Sequence, residues 1–236
     1  MGLSINITVT APAALGLAEI ETLVRRWHAL AGRFAAGGRL AKVHGLSNKL
    51  NDLNRFASHY VRDVAVPPIE GWMFVASVGE GCEPLMLGLC RYPAGSGVGE
   101  GWHFRASCKT QYASTRGWEH FRRCHVAIIE LAAALESFGA GASARIDDEG
   151  GWWPGRDDDA LKRTLLRYNR LMAGFAGALK DSLDDDEDAF GSGARKHSPL
   201  QAAIFEHPDF ERLEAENQSA GDDAKIREAI RRIVER

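Results

Sequence analysis

Between Trp102 and Phe138 the apolar residues of this chain change period, and that change limits the fold more than any other feature. Trp102, Phe104, Ala106 and Cys108 alternate with His103, Arg105, Ser107 and Lys109, the period-two pattern of a strand with one buried face. Shortly afterwards Phe121, Cys124, Ile128, Leu131, Leu135 and Phe138 recur at steps of three and four, which predicts a helix from about Trp118 to Phe138. Gly139 and Gly141 supply its stop. A strand apolar on one side followed by a helix apolar along one stripe must pack as layers, sheet against helix.

The flanking segments extend the pattern in both directions. Ser4 to Thr10 alternates and is rich in β-branched residues, so it reads as a half-buried strand, ended by Pro12. Ile20, Leu23, Val24, Trp27, Leu30, Ala31 and Phe34 predict a helix from about Leu17 to Gly37-Gly38. A second helix is expected after Ser47 as N-cap, with Leu50, Leu53, Ala57, Tyr60 and Val64 on one face, closed by Pro67-Pro68. Strands are expected over Trp72 to Val78 and Leu85 to Tyr92, paired antiparallel across a six-residue connection. Ala94 to Gly101 reads as a glycine-rich loop, Ala142 to Asp147 as a short strand. A last helix starts near Asp157 with Leu161, Leu165, Tyr168, Met172, Phe175 and Leu179 facing inward. The order β α α β β β α β α points to an α+β fold, a mostly antiparallel or mixed sheet with helices packed on one face. A ferredoxin-like core with insertions is one arrangement that satisfies it.

Charge separates a tail from this body. Residues 181–236 carry 15 acids against 8 bases, which leaves 21 bases against 17 acids on residues 1–180. The run Asp184 to Asp188 with Gly191-Ser192-Gly193 has linker composition, so residues 1–181 are expected as one domain and 182–236 as an acidic linker and helical appendage. The whole chain has a net charge of -3, without the basic excess that nucleic-acid backbones demand. No apolar run approaches the roughly 20 residues needed to span a bilayer. The first residues lack the layout of a secretory signal, so the sequence is read as cytoplasmic. Cys82, Cys90, Cys108 and Cys124 form no CxxC pair and are expected as reduced core thiols.

Two stretches hold the residues that carry chemistry, His103 to His125 and Asp147 to Arg156. Asp148 and Glu149 stand where a strand ends before two glycines, a place where sheets present carboxylates. With His125 they are the catalytic candidates, as general acid or base. The crowded acids Asp147, Asp148 and Glu149 need positive compensation, from a cation or from Arg156, Arg105 and Lys109. No HExxH, His-x-His or calcium-loop spacing is present, so neither a metal nor a cofactor is expected. Cys124 and His125 point about 100° apart on a helix and do not form a nucleophile–base pair. His103, Arg105 and Lys109, with Arg122 and Arg123 nearby in sequence, form a basic face suited to a carboxylate, a phosphate or the acidic surface of a protein. Trp152 and Trp153 diverge, so one packs on the core while the other lines a pocket or interface, beside Arg156.

The runs Cys108-Lys109-Thr110-Gln111-Tyr112-Ala113, Arg123-Cys124-His125 and Asp148-Glu149-Gly150-Gly151-Trp152-Trp153 with Arg156, then Tyr168-Asn169 and Leu179-Lys180-Asp181, resemble a group of uncharacterised bacterial proteins of similar size. The likeness covers roughly residues 100–181. It implies that these motifs form one unit, and it brings no activity, ligand or fold with it.

Dispersed charge and aromatic residues without a catalytic spacing favour a small binding protein of the immunity or regulatory type. It would recognise another protein or a small anionic ligand through the tryptophan loop and the charged strand face. The alternative is a hydrolase- or transferase-like enzyme, which requires the acidic loop, His125 and the basic face to converge in one pocket.

Overall fold

The computed structural model describes residues 3–184. Eight strands, four α-helices and two short 3-10 segments alternate among them, with β1 at Ser4–Ala11, α1 at Leu17–Ala36, β2 at Lys42–Val43 and α2 at Leu50–Phe56. There follow β3 at His59–Val61, β4 at Val64–Val66, β5 at Glu70–Ser77, β6 at Leu85–Arg91 and β7 at Trp102–Lys109. The 3-10 segment Gln111–Arg116, α3 at Trp118–Ala133, a second 3-10 segment at Ala134–Phe138, β8 at Ser143–Asp148 and α4 at Asp158–Asp184 complete the order. The chain divides into two compact units, Met1–Ala160 and Leu161–Arg236. The acidic linker and appendage expected beyond residue 184 lie outside the described residues.

Six strands of the first unit form one sheet in the order β2-β5-β6-β7-β1-β8, antiparallel at every pairing. The α+β class stands, and the sheet is antiparallel rather than mixed. Strands β6, β7, β1 and β8, with α1 and α3 between β-segments, follow the connectivity of a ferredoxin-like core, to which β5 and β2 are added on the β6 side. The register makes the alternation pay off. Ile5, Ile7, Val9 and Ala11 of β1 oppose Cys108, Ala106, Phe104 and Trp102 of β7, so the apolar residues of both strands share one face. Helix α1 lies against β5 and β6 on that face, and α3 lies against β1 and β8. Between the helices the Trp27 indole, fully buried, donates from Nε1 to Leu131 O at 2.6 Å and meets Phe74 edge to face, ring centres 5.9 Å apart.

Helix α1 starts where Glu19 reaches back to accept the Gly16 N–H at 2.8 Å. Helix α3 ends earlier than its periodicity predicts, because Ala134–Phe138 tightens into a 3-10 turn before Gly139. At the start of α4, Asp157 Oδ1 accepts the N–H groups of Asp159 and Ala160, both at 2.9 Å, so the expected aspartate start is an N-cap. Leu161, Leu165 and Met172 of α4 are buried and Tyr168 is half-buried. The side chains of Phe175 and Leu179 fall outside the described ones. No described helix is long and apolar enough to cross a membrane.

The second expected helix is corrected. Only Leu50–Phe56 is helical, and the segment after it folds as the hairpin β3–β4. Leu50, Tyr60 and Val64 are 53%, 72% and 65% exposed, so of the stripe that suggests a long helix only Leu53 and Ala57 face a core. Val61, Val64 and Val66 prefer strands, and Arg62 and Asp63 take positive φ values of 49° and 64°, the requirement of a tight two-residue hairpin turn. Ser47 does not cap this helix. It pairs with Met73 of β5, and its hydroxyl donates to Asp52 Oδ2 at 2.5 Å.

Candidate functional site

The strand β8 ends on Asp148, whose side chain points to the helix-covered side of the sheet while Asp147 points to the other. Gly150 and Gly151 then fold the chain back over the carboxylate. Asp148 Oδ1 accepts the Gly150 N–H at 2.7 Å, and Oδ2 accepts those of Trp152 and Trp153 at 2.7 and 2.9 Å. From α3, His125 Nε2 approaches Oδ1 at 2.8 Å, and on the other side of the ring Thr110 Oγ1 lies 2.8 Å from Nδ1. An ionised carboxylate only accepts, so Nε2 carries the proton. In the neutral ring Nδ1 then accepts from the Thr110 hydroxyl. Burial on its own would raise the Asp148 pKa, but the bond from His125 and the loop N–H groups outweigh it and hold the carboxyl below the usual carboxylate range.

Hydroxyl, imidazole and carboxylate in a row is the order of a nucleophilic triad. Here Thr110 and His125 are 0% exposed and so is the Asp148 side chain, and every polar atom in the row is bonded inside the protein. No surface of Thr110 is open to a substrate carbonyl. The row instead joins β7, α3 and β8 and shapes the tryptophan loop. Replacing Thr110 with valine keeps the shape and leaves His125 Nδ1 buried without a partner. We expect a loss of about 1–3 kcal/mol in chemical denaturation, with an unchanged circular dichroism spectrum.

Glu149 is also spent on structure, as its Oε2 accepts the Ser4 N–H at 2.8 Å. The compensation expected from Arg156, Arg105 and Lys109 is therefore corrected. Asp148 is balanced by His125 and three backbone N–H groups, and Glu149 by the start of β1. Arg156 stands over the Trp152 ring, 6.0 Å from its centre, and Trp152 is buried with Nε1 donating to Asp158 Oδ1 at 2.9 Å. Trp153 is half-buried. Of the two indoles, Trp152 is the one taken into the protein.

The basic strand face lies on the opposite side of the sheet from His125 and Asp148. Across β7, β1 and β8 the outward residues form rows: Arg105, Thr8 and Arg145; Ser107, Asn6 and Asp147; His103, Thr10 and Ser143. Neighbouring strands are about 4.8 Å apart, so the Arg105 and Arg145 backbones flank Thr8 at about 10 Å from each other. Both arginines are exposed, and neither is in an ion pair among the described residues. The other two expected members are engaged. His103 Nε2 lies 2.6 Å from Glu100 O, and Lys109 Nζ is 3.6 Å from Glu83 Oε1. Arg122 and Arg123 do not join this face, since Arg122 pairs with Asp158 at 2.7 Å and Arg123 Nη1 donates to Gly38 O and Arg39 O.

Arg145 is the functional candidate the sequence does not single out. Its own strand is short, and only the pairing of β1 with both β7 and β8 brings it level with Arg105. A cavity of about 640 Å³ beside the loop 94–101 is lined by Ala13, Arg91, Tyr92 and the loop glycines, and by none of the candidate residues. Among the described residues, no three His, Cys, Asp or Glu side chains are grouped to hold a metal ion. Comparison with protein-family models, with curated proteins and with solved structures returns no match for this chain.

Proposed function

We propose that the chain is a binding protein of the immunity or regulatory type, and that it recognises an acidic patch of a protein partner through the open face of β7, β1 and β8. The observation that supports this reading is the Arg105–Thr8–Arg145 row. Two exposed guanidinium groups, in no ion pair among the described residues, flank a hydroxyl on an antiparallel surface. Arginine forks match carboxylates in bidentate geometry, and strands hold them at a fixed spacing, so little order has to be gained on binding. The enzyme reading draws less support from the same geometry, because the His125 and Asp148 side chains are internal, the exposed Glu149 is taken up by the Ser4 N–H, and the basic face is on the far side of the sheet. A reducing cytoplasm suits the four free thiols. The net charge of -3 argues against nucleic acid as the ligand.

The test is capture of a partner by the tagged chain from its native extract, compared with the double variant Arg105→Glu, Arg145→Glu and with Trp153→Ala. A partner at near-equal amount with the wild type, weakened by a factor of about 30 or more in the double variant, is the expected result. The double variant should differ in folding stability by no more than about 0.5 kcal/mol, since both positions are exposed. Undiminished capture by the double variant would overturn the assignment of this face. Loss only with Trp153→Ala would move the recognition surface to the tryptophan loop.

A further inference from the structure

The last strand of the sheet has one side unused. In the order β2-β5-β6-β7-β1-β8 the two edges differ, since β2 is two residues long and β8 runs over the six residues Ser143–Asp148. The hydrogen bonds fix which backbone groups β8 turns outward. Glu149 donates its N–H to Ser4 O at 3.2 Å on one side of β1, and Thr110 donates to Leu3 O at 3.0 Å on the other. Antiparallel bonds recur at every second residue, so β1 bonds β7 through its odd-numbered residues and β8 through its even-numbered ones. In β8 the residues bonded to β1 are therefore Ser143, Arg145 and Asp147. Ala144, Ile146 and Asp148 point N–H and C=O the other way, to a side where no further strand is paired among the described residues. Of these groups, Asp148 O accepts the Gly151 N–H at 3.2 Å. The Asp148 side chain is 0% exposed while the residue as a whole is only half-buried, so what reaches solvent there is main chain.

An open edge of this length is a template for pairing, and charged residues usually guard it. Those of β8 guard it against most registers and select one. Arg145 and Asp147, both exposed and in no ion pair among the described residues, stand two apart on the open face. When a second copy of β8 lies antiparallel against the first about a two-fold axis, outward-turned backbone must meet outward-turned backbone, so the axis passes through a residue position. At Arg145 it would set two guanidinium groups opposite each other, and at Asp147 two carboxylates. At Ala144 it would leave Arg145 facing Ser143. At Ile146 it sets Arg145 opposite Asp147 of the second copy, and Asp147 opposite Arg145 of the second copy. Ile146 then exchanges its backbone bonds with Ile146 of the second copy, and Asp148 N–H meets Ala144 O. The Arg–Asp positions are the non-hydrogen-bonded ones, where facing Cα atoms are only about 4.5 Å apart and side chains lie closest. On the helix-covered face the half-buried Ile146 side chains cover each other.

We propose that two copies of the chain form a two-fold dimer by continuing the sheet through β8, with Ile146 on the axis and an Arg145–Asp147 pair on either side of it. The occupant of the edge is a second copy because the strand is its own complement in charge at that register. The dimer is separate from recognition of an acidic patch by Arg105 and Arg145. Arg145 serves both, so an acidic partner competes with the second copy for it, whereas Asp147 lies in the neighbouring row with Ser107 and Asn6.

Sedimentation equilibrium of the full-length chain, from micromolar to submillimolar concentration, tests this. The expected result is a monomer–dimer equilibrium that Asp147→Arg weakens by a factor of about 30 or more, since two attractive cross-strand pairs become repulsive. The exchanged variant Arg145→Asp, Asp147→Arg should return to within about threefold of wild type, because each copy then offers the same pairs with the signs reversed. Hydrogen exchange at the Ala144 and Ile146 amides should slow as the wild-type concentration rises. A chain that stays monomeric throughout, a dimer that Asp147→Arg leaves unchanged, or one that the exchanged variant does not restore would overturn the proposal. The wild-type series and the exchange rates need no variant, and both substituted positions are exposed. Partner capture can fail while the dimer forms, and the dimer can fail while Asp147→Arg still captures a partner, so this proposal and the reading of the arginine face fall separately.

Discussion

Alanine in place of Asp148 will cost about 3–5 kcal/mol of stability, a large part of the 5–15 kcal/mol that a domain of this size holds. The carboxylate, whose side chain has no exposed surface, is the shared partner of four donors, the His125 ring and the N–H groups of Gly150, Trp152 and Trp153. Removing it leaves each of them to find water or go without. Urea denaturation with tryptophan fluorescence reads both effects, since the same loop carries Trp152 and Trp153. The pH dependence has a fixed sign. A carboxyl held below its unfolded value, about 3.9, stabilises the fold fully above that pH, and the contribution is lost as pH falls through the folded value. Wild-type stability should therefore drop below about pH 4, while Asp148→Asn, weaker at neutral pH, should lack that increment. A variant within about 0.5 kcal/mol of wild type at pH 7 would show that the loop N–H groups are satisfied without the carboxylate.

Trp27→Ala is expected to cost a similar amount, about 3–5 kcal/mol, through a cavity between α1, α3 and β5 and the loss of the bond to Leu131 O. For a unit of this size that is a fall of about 10 °C in Tm. Trp27→Phe keeps a ring against Phe74 and loses the N–H and part of the indole's volume, so calorimetry should place it between wild type and Trp27→Ala. A milder effect of alanine than of phenylalanine would mean that α1 closes over the gap.

The fold was legible wherever one periodicity ran long enough to define a face. Ser4 to Thr10, Trp102 to Lys109 and Phe121 to Phe138 each commit their apolar residues to one side, and the structure buries that side. Residues 50–66 misled because five apolar residues happen to keep a helical step, while the positive-φ pair Arg62-Asp63 carries no mark as strong as Asn-Gly. The chemistry-bearing residues were legible as a list and not as an arrangement. His125 and Asp148 do meet, but a sequence does not tell a buried bonded pair from an open one. The parity of Trp102 to Lys109 separates Arg105 from Cys108. It does not say on which side α3 lies, and so does not reveal that the basic face and His125 have the whole sheet between them.

The place of β1 in the sheet has a consequence for synthesis. Ser4–Ala11 lies between β7 and β8, and the bond from Ser4 to Glu149 closes over 145 residues of chain. A ribosome therefore releases β1 long before either neighbour exists. Until β8 has emerged, an apolar strand waits with an open edge, the state that chaperones bind and that aggregates recruit. Such long-range closure belongs to slow-folding topologies. A nascent chain halted before residue 143 should stay protease-sensitive, and one released past the tryptophan loop should become resistant in a single step.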